Sequence, residues 1–328
     1  MKIPKITLED HVAVPGTADK VPDRFEPEAW QKISHALLDI HGQLLSDMDA
    51  AGIGMSVLSL NCPAIQGIPD KKRAVEAARR ANDYLAEQVA RNPKRFQAFA
   101  ALPLQDPDAA AKELVRCVKQ LGFRGALVNS FSQIDVDDSA VYYDLPQYWD
   151  FWGTVESLDV PFYLHPRDPL PSRMTSFDGQ PWLRGSVWGF TVDTATHALR
   201  LMSCGIFDKY PKLTVILGHL GETLPFLMWR IDNRISMASR GCPAKKKLGE
   251  YFKKNFYVTT SGQFCTQSLL DTILWLGADR ILFSVDHPFE KMSVAANWFD
   301  NLDTISEADW LKMARGNAER VLKLDAAK

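Results

Sequence analysis

Eight short runs of apolar and β-branched residues, separated by stretches with helical periodicity, are the feature that most restricts the fold of this chain. Several of these runs are continuously apolar, as strands buried on both faces of a sheet should be. In chain order they are residues 5–9, 55–60, 96–103, 124–129, 160–165, 213–219, 256–261 and 280–286. Strands that alternate with helices in this way predict an α/β fold with a parallel sheet.

The helical pattern is clearest between residues 106 and 122. Asp106 can cap this helix with Pro107 in its first turn, and Gly122 stands where the helix should end. Eight such units predict one (β/α)8 TIM barrel domain over residues 1–328, with a long loop insertion after the fifth strand. A doubly wound open sheet is the alternative. It would be favoured by a GxGxxG turn after the first strand, and the sequence has none there.

Composition argues against several classes of function. The formal net charge is −2 with acidic and basic residues intermixed, so we expect neither a nucleic-acid partner nor a membrane-binding surface. No apolar run is long enough to span a bilayer, and the N-terminus lacks the apolar core of a signal peptide. The five cysteines are scattered and form no CxxC pair, which is typical of reduced thiols in a cytoplasmic protein.

Polar side chains follow most of the predicted strands, at the end of a barrel where catalytic groups lie. In chain order they are Glu9, His11, Asn61, Asn129, His165, His219, Ser261 and Asp286. Taken singly, each is better explained as a loop, capping or turn residue. Taken together, two histidines with one or two carboxylates suit a divalent ion such as Mn²⁺, Zn²⁺ or Fe²⁺. Asp10, between Glu9 and His11, should face the other way and is interpreted as structural.

His219 and Glu222 are three residues apart in the stretch GHLGE, at a predicted strand-to-helix junction. Two interpretations remain open. Glu222 is a helix-start carboxylate beside a buried histidine, or it orients the imidazole and raises its pKa for proton transfer or anion binding. Arg230 follows about two helical turns later. It is either a surface residue or a ligand for a substrate carboxylate.

The connection at residues 165–190 is rich in Pro, Gly, Trp and Phe. A connection of this length after a barrel strand usually covers the site. Its aromatic side chains, with Phe190 among them, either line the site or anchor the loop. His35, His41 and His197 fall inside helical stretches, and we interpret these three as structural or surface residues.

Seven segments spread over nearly the whole chain match the pattern of one known family. They are ITLEDH, FAALPLQDP, GFRGALVN, DVPFYLHPR, FDKYPKLTVILGHLGE, FYVTTSG and DRILFSVDHPFE. Together they resemble the amidohydrolase-related aromatic acid decarboxylases, the family of aminocarboxymuconate-semialdehyde decarboxylase. SLNCPAIQGIPD and YYDLPQYWDFWG make the resemblance closest to the γ-resorcylate (2,6-dihydroxybenzoate) branch. The resemblance implies an amidohydrolase-like barrel and a reversible, non-oxidative decarboxylation of a hydroxybenzoate, here γ-resorcylate to resorcinol and CO₂.

The resemblance also implies a set of site residues. A single divalent ion, typically Mn²⁺ with Zn²⁺ as the alternative, would be held by Glu9, His11, His165 and Asp286. No organic cofactor is expected. The catalytic residues would be Asp286, His219 and Glu222, and the substrate-binding residues would be Arg230, Phe289 and Phe190. The expected partners are a small aromatic carboxylic acid and further copies of the chain, as a dimer or tetramer.

Asp286 is the predicted proton donor to the ring carbon that bears the carboxylate, because an aryl carbanion is too unstable to form directly. His287 departs from the family, in which Trp or Tyr often follows this aspartate, so the wall of the pocket is expected to differ. Other substrates remain open, namely 2,3-dihydroxybenzoate, salicylate and 5-carboxyvanillate.

Two other classes of function also remain alternatives. The first strand carries Glu-Asp-His instead of HxH, and no lysine follows the fourth strand, which disfavours a hydrolase with two metal ions. A hydrolase of a lactone or amide with one metal ion stays possible. So does a catalytically silent protein that binds a metal or an aromatic acid on the same scaffold.

Overall fold

A computed structural model describes residues 3–17, 22 and 25–324 of the chain. Each predicted strand is present in it, in several cases shorter than predicted. The strands are β1 (Lys5–Val12), β2 (Ile53–Leu60), β3 (Phe96–Ala98), β4 (Ala126–Asn129), β5 (Phe162–His165), β6 (Val215–Leu217), β7 (Phe256–Thr259) and β8 (Ile281–Leu282). They pair in parallel in chain order, as one sheet of β1 to β3 and a second of β4 to β8.

Two short backbone contacts close these sheets into a barrel. Ala100, just after β3, bridges Ala126 at the start of β4. Asp10 of β1 bridges His287, which follows β8, and the N–H of His11 donates to the carbonyl of His287 at 2.7 Å. The predicted (β/α)8 barrel is therefore confirmed. Closure places the end of the first strand beside the end of the last.

Helical segments connect the strands in the described part of the chain. They are α1 (Pro27–Leu38), α2 (Leu45–Ala50), α3 (Lys71–Arg91), α4 (Pro107–Lys119), α5 (Trp149–Leu158), α6 (Gly189–Ser203), α7 (Ile206–Lys209), α8 (His219–Glu222), α9 (Leu224–Met237), α10 (Leu248–Asn255), α11 (Thr266–Leu276), α12 (Met292–Asp300), α13 (Glu307–Leu311) and α14 (Asn317–Leu322). As predicted, Asp106 caps α4, with its side chain accepting the N–H of Ala109 at 3.0 Å. Within the described residues, no helix has both the length and the apolar character needed to cross a bilayer.

The interior of the barrel is filled by apolar side chains that the strands contribute in turn. This cluster includes Ile6, Leu8, Val57, Phe99, Leu127, Tyr163, Ile216, Tyr257 and Leu282. A larger apolar cluster lies between the strands and the surrounding helices. Successive side chains of a strand point to opposite faces, so each strand supplies both clusters. The apolar filling leaves the carboxyl ends of the strands as the place for polar groups.

The predicted long insertion after the fifth strand is also present. It runs from His165 to the start of α6 and contains four short 3₁₀ turns. Phe190 is buried, whereas Trp182 and Trp188 keep 62% and 46% of their surface exposed. The aromatic residues of this connection therefore divide between loop-anchoring and surface positions.

Candidate active site

β1 brings two polar side chains to the mouth of the barrel. Glu9 and His11 lie two residues apart and face the same side, while Asp10 faces the other way. The carboxyl group of Asp10 accepts hydrogen bonds from the hydroxyls of Ser56 at 2.6 Å and Thr7 at 3.3 Å. Burial raises the pKa of Asp10 to about 7. The side chain of Asp10 thus makes its hydrogen bonds to residues of β1 and β2. Glu9 and His11, on either side of it, are the residues that face the site.

The two carboxylate oxygens of Glu9 have different surroundings. Oε2 accepts hydrogen bonds from the hydroxyls of Tyr163, Thr259 and Ser261. Oε1 has no hydrogen-bond partner among the described residues and lies 3.2 Å from Nε2 of His165. Burial acts to raise the pKa of Glu9, but the facing imidazoles, His219 foremost, hold it well below its usual range. Glu9 therefore presents one anionic oxygen to the centre of the site.

Ser261 was predicted to lie at the site, whereas the other two hydroxyl donors were not predicted from the sequence. Tyr163 precedes His165 by two residues on β5, and Thr259 precedes Ser261 by two at the end of β7. Residues two apart in a strand share a face. Strand periodicity was thus the signal that would have identified both residues.

Two histidines are oriented by polar neighbours at the ends of other strands. Nδ1 of His165 donates to Oδ1 of Asn129 at 2.7 Å, and Nδ1 of His11 lies 3.2 Å from the hydroxyl of Ser59. Because Nδ1 of each histidine is engaged in these contacts, the imidazole rings of His165 and His11 point Nε2 toward Glu9 and the centre of the site. Burial lowers the pKa of His165, which favours the neutral imidazole that a metal ion requires.

Asp286 enters the site just after β8. Its φ angle is 85°, in a region that few residues other than glycine adopt but that aspartate tolerates. Oδ1 lies 3.2 Å from Nε2 of His11, and Oδ2 lies 3.8 Å from Nε2 of His219. Burial acts to raise the pKa of Asp286, but the close imidazoles of these two histidines lower it below its usual value. Asp286 therefore contacts both the first strand and the turn after the sixth.

Glu9, His11, His165 and Asp286 form a four-ligand cluster. Their ligand atoms all lie within 4.8 Å of one another. Three of these atoms, Oε1 of Glu9, Nε2 of His11 and Oδ1 of Asp286, are buried without a hydrogen-bond partner among the described residues. Buried polar atoms left unpaired are costly, so three at one point indicate a missing ligand. Two nitrogen and two oxygen donors suit Mn²⁺ or Zn²⁺, and the residues present fit a single divalent ion.

Beside the cluster, the short segment α8 and the residue after it, together residues 219–223, form one left-handed turn and not the beginning of a right-handed helix. All five φ angles lie between 51° and 85°, and only Gly221 lacks a side chain. Each of the other residues costs roughly 1–2 kcal/mol in this conformation. The turn brings Nδ1 of His219 to within 2.7 Å of Oε1 of Glu222. The regular helix, α9, begins only at Leu224.

The surroundings of His219 favour a charged imidazole. Burial acts to lower its pKa, but the carboxylates of Glu222, Glu9 and Asp286 raise it well above its usual value. Gly262 allows the ring to lie this close to the chain after β7. Its φ angle is 60°, and a Cβ atom there would meet Cδ2 of His219 at 3.1 Å. The carboxylate of Glu222 therefore orients the imidazole of His219 and raises its pKa, while a role of the two residues in proton transfer stays a prediction.

Aromatic rings form one wall beside the cluster. The ring of Phe289 lies 5.9 Å from the ring of His11 and stacks on Phe25 at 6.2 Å. Phe25 was not predicted, because no local pattern indicates this long-range contact. Phe190 is buried in the first turn of α6, whereas Arg230 lies on the exposed side of α9. Among the described residues, no hydrogen bond or ion pair joins Arg230 to the site.

The remaining histidines lie outside the four-ligand cluster. His287 helps to close the barrel through its backbone, and its ring contacts the backbone of Ala36 in α1. Burial lowers the pKa of His287 to about 4. His35 is exposed, His41 lies 3.2 Å from Oε1 of Gln88, and His197 accepts the N–H of Tyr143. These contacts are structural.

The fold recurs in known proteins. The family model described as amidohydrolase matches residues 35–324. The chain belongs to the amidohydrolase family. A γ-resorcylate decarboxylase of Rhizobium radiobacter is 56% identical to it over 324 residues, which cover 98% of both proteins. The predicted family resemblance is therefore confirmed.

Two solved structures are close in fold to this amidohydrolase. A crystal structure of 2,6-dihydroxybenzoate decarboxylase in complex with 2,6-dihydroxybenzoate superposes with a TM-score of 0.95 at 55% identity, and covers 98% of this chain and 100% of the other. A dihydroxybenzoic acid decarboxylase of Polaromonas sp., with bound manganese and the inhibitor 2-nitroresorcinol, superposes with a TM-score of 0.93 at 55% identity, covering 99% and 98%. Manganese in that relative agrees with the metal predicted here.

Proposed function

We propose that this protein is a metal-dependent carboxy-lyase that converts γ-resorcylate reversibly to resorcinol and CO₂. The proposal rests mainly on one observation. A buried four-ligand cluster that fits a divalent ion lies beside the pair formed by His219 and Glu222. The 56% identity to γ-resorcylate decarboxylases over nearly the whole chain supports this substrate ahead of other ortho-hydroxy aromatic acids.

The proposed metal is Mn²⁺, with Zn²⁺ as the alternative, held by Glu9, His11, His165 and Asp286. When bound, a divalent ion supplies positive charge and open coordination positions for a carboxylate and its neighbouring hydroxyl. The hydroxyl donors on Oε2 of Glu9 hold that carboxylate in one orientation. The hydrogen bond from His165 to Asn129 does the same for the imidazole. The chain itself thus orients the ligands.

Asp286 is the proposed general acid. It gives a proton to the ring carbon that bears the carboxylate, the C–C bond then breaks, its electron pair returns to the ring, and CO₂ leaves. Because the pKa of Asp286 is held low, the proton must reach it during the cycle, and the phenol of the incoming substrate supplies it. The phenolate that remains regains a proton from His219, whose Nε2 lies 3.8 Å from Oδ2 of Asp286 and whose 20%-exposed side chain takes up a replacement proton from solvent.

Three residues are the proposed substrate contacts. Phe289 lies against His11 and offers a flat apolar surface to an aromatic ring. Phe190 is buried next to Thr191, whose hydroxyl bonds to Glu222. Arg230 would bind the substrate carboxylate, but its exposed position on α9 means that the side chain must move or be covered to do so.

We further propose that the protein is a homo-oligomer. The outer side of α9 carries apolar side chains that a monomer would leave in water: Phe226 and Trp229 are 81% and 68% exposed. Arg230 lies on the same exposed stretch. Sedimentation of the protein and of a Phe226→Asp variant tests this proposal, since a monomer in both cases would contradict it.

The domain extent and the location of the protein are proposals as well. One catalytic domain over residues 1–328 is supported by an apolar core that runs from Val12 to Ala314. A cytoplasmic location is supported by the free state of all five cysteines.

The deciding experiment measures CO₂ release from a panel of hydroxybenzoates. The protein is stripped of metal with a chelator and reloaded with Mn²⁺ or Zn²⁺. We expect metal-dependent release of CO₂ and resorcinol, fastest from 2,6-dihydroxybenzoate. Hydrolysis of a lactone or amide without CO₂ would establish the hydrolase alternative instead. Metal and ligand binding without turnover of any substrate would indicate a silent binding protein.

A further inference from the structure

One threonine of α6 uses its hydroxyl differently from its neighbours. Thr194 and Thr196 donate to the carbonyls of Phe190 and Val192, at 2.8 and 2.7 Å, as threonines inside helices commonly do. Thr191, in the first turn, donates instead to Oε2 of Glu222 at 2.8 Å. This hydroxyl therefore links the helix that ends the long insertion to the turn after β6.

Glu222 is held at both oxygens. Oε1 accepts from Nδ1 of His219 at 2.7 Å, and Oε2 accepts from Thr191. The side chain of Glu222 is only 1% exposed, so bulk water cannot replace a lost partner. Its position near the first turn of a 15-residue helix also suits a negative charge. Without the threonine hydroxyl, the carboxylate could rotate about its last bond and lose the geometry of the histidine contact.

The contact between Glu222 and His219 also affects the centre of the site. With Nδ1 of His219 committed to Glu222, Nε2 lies 3.8 Å from both Oδ2 of Asp286 and Oε1 of Glu9. The left-handed turn sets the spacing of His219 and Glu222 along the chain, but it does not set the rotation of the carboxylate. That rotation is set by the hydrogen bond from α6.

We infer that Thr191 is a positioning residue for the decarboxylation, acting through Glu222 on the orientation of His219. The hydroxyl fixes the carboxylate of Glu222, the carboxylate fixes Nδ1 of His219 as the donor, and Nε2 is thereby aimed at Asp286. The inference rests on the roles proposed above for His219 and Glu222. It assigns to the long insertion a part in the geometry of the site besides covering it.

The test compares three variants of the Mn²⁺-loaded protein. Thr191→Val removes the hydroxyl with little change of shape, and Thr191→Ser keeps it. Thr196→Val is the matched control, because it makes the same change on the same helix at an exposed position whose hydroxyl bonds only within the helix. We expect Thr191→Val to lower kcat about 10- to 100-fold with little change in KM or metal content. Thr191→Ser should recover most of the activity, and Thr196→Val should match the wild type.

A second readout follows His219 directly. In imidazole ¹⁵N-labelled protein loaded with Zn²⁺, which is diamagnetic, the Nδ1 proton of His219 should give a resonance protected from exchange, identified by its loss in His219→Asn. We expect this resonance to be lost in Thr191→Val and kept in Thr191→Ser and Thr196→Val. Wild-type kcat together with an unchanged resonance in Thr191→Val would overturn the inference. So would equal losses in Thr191→Val and Thr191→Ser, which would indicate side-chain packing instead of the hydroxyl.

The failure of this inference is separable from that of the proposed function. If His219→Asn keeps wild-type turnover, the proposed role of His219 is wrong, and with it any role of Thr191. If His219→Asn is inactive while Thr191→Val is fully active, only the role of Thr191 fails. If the proposed roles of His219 and Thr191 are both correct, the double variant with Thr191→Val and His219→Asn should be no less active than His219→Asn alone.

Discussion

Oε1 of Glu9 lies 3.2 Å from Nε2 of His165, although the two residues belong to the first and fifth strands of the barrel. Both residues are buried, and Oε1 has no hydrogen-bond partner among the described residues. Glu9 is instead held through its other oxygen, by the hydroxyl groups of Tyr163 in β5, of Thr259 in β7 and of Ser261, two residues after β7. The barrel thus keeps one carboxylate oxygen available at the point where imidazole nitrogens converge.

Removal of a hydroxyl from this arrangement should weaken metal binding. We expect Tyr163→Phe to raise the Kd for Mn²⁺ about 10- to 100-fold, because Glu9 loses a donor that orients it. The Kd is measured by competition with a chromogenic chelator. Tyr148→Phe is the control, since that buried hydroxyl donates to the carbonyl of Leu104 away from the site. An unchanged Kd in Tyr163→Phe would contradict the orienting role.

Replacement of the proposed general acid should stop turnover. We expect Asp286→Asn to lower kcat by about 10²- to 10⁴-fold, because the amide cannot give up a proton in the way a carboxylic acid does. Binding of the resorcinol product, measured by calorimetry at saturating Mn²⁺, should be largely kept. The exposed Asp279→Asn serves as the control for the loss of one negative charge. Near-normal turnover in Asp286→Asn would exclude the proton-donor role.

Gly262 should be required for catalytic activity as well as for the backbone conformation at this position. Both Gly262 and Gly277 have positive φ angles, but a Cβ atom at Gly277 would meet nothing within 4 Å, whereas one at Gly262 would meet His219 at 3.1 Å. We expect Gly262→Ala and Gly277→Ala each to lower the free energy of unfolding by about 1–2 kcal/mol. Only Gly262→Ala should also lower kcat. Equal activity of the two variants would mean that His219 moves aside without consequence.

A buried histidine remote from the cluster should contribute to acid sensitivity. Burial lowers the pKa of His197 from 6.5 to about 3, so the unfolded chain binds a proton that the folded protein rejects. The stabilising contribution is therefore complete above pH 6.5 and is lost as the pH falls toward 3. Between pH 6.5 and pH 3, protonation of this residue in the unfolded chain should lower the free energy of unfolding by roughly 1.4 kcal/mol for each unit by which the pH falls.

Urea unfolding at several pH values between 4 and 8 measures this dependence. We expect His197→Asn to show a shallower loss of stability below pH 6.5 than the wild type, while the exposed His35→Asn keeps the wild-type slope. Identical slopes for the wild type and His197→Asn would show that this histidine takes up no proton on unfolding.

Much of the barrel could be predicted because strand signals are local. The runs that became β1 to β8 are apolar and β-branched over a few residues, and a pattern of that kind depends only on neighbours in the chain. The position of Glu9 and His11 followed in the same way, from the period of two along one strand. The ends of the strands were less certain, since pairing with neighbours decides where a strand stops.

The left-handed turn at residues 219–223 was not predictable from GHLGE. Four of its five residues have side chains that disfavour this conformation, and local propensity indicates a helix start instead. The conformation is held by contacts with distant parts of the chain, including the hydroxyl of Thr191 on Glu222. Arg230 shows the opposite case: its spacing was compatible with a substrate ligand, yet packing of α9 leaves it exposed.

The sequence by itself determined the order of strands and helices and the chemical types of the groups at the strand ends. These properties depend on apolar periodicity and on residue identity, both of which are local. Only the tertiary structure decided which atoms of those groups face one another. Closure of the barrel brings Asp286 to His11 and aims Oε1 of Glu9 at His165. The other oxygen of Glu9 is held by hydroxyl groups of β5, of β7 and of Ser261, two residues after β7. The rotation of a carboxylate is set by hydrogen bonds from distant strands and helices, and no local pattern specifies it.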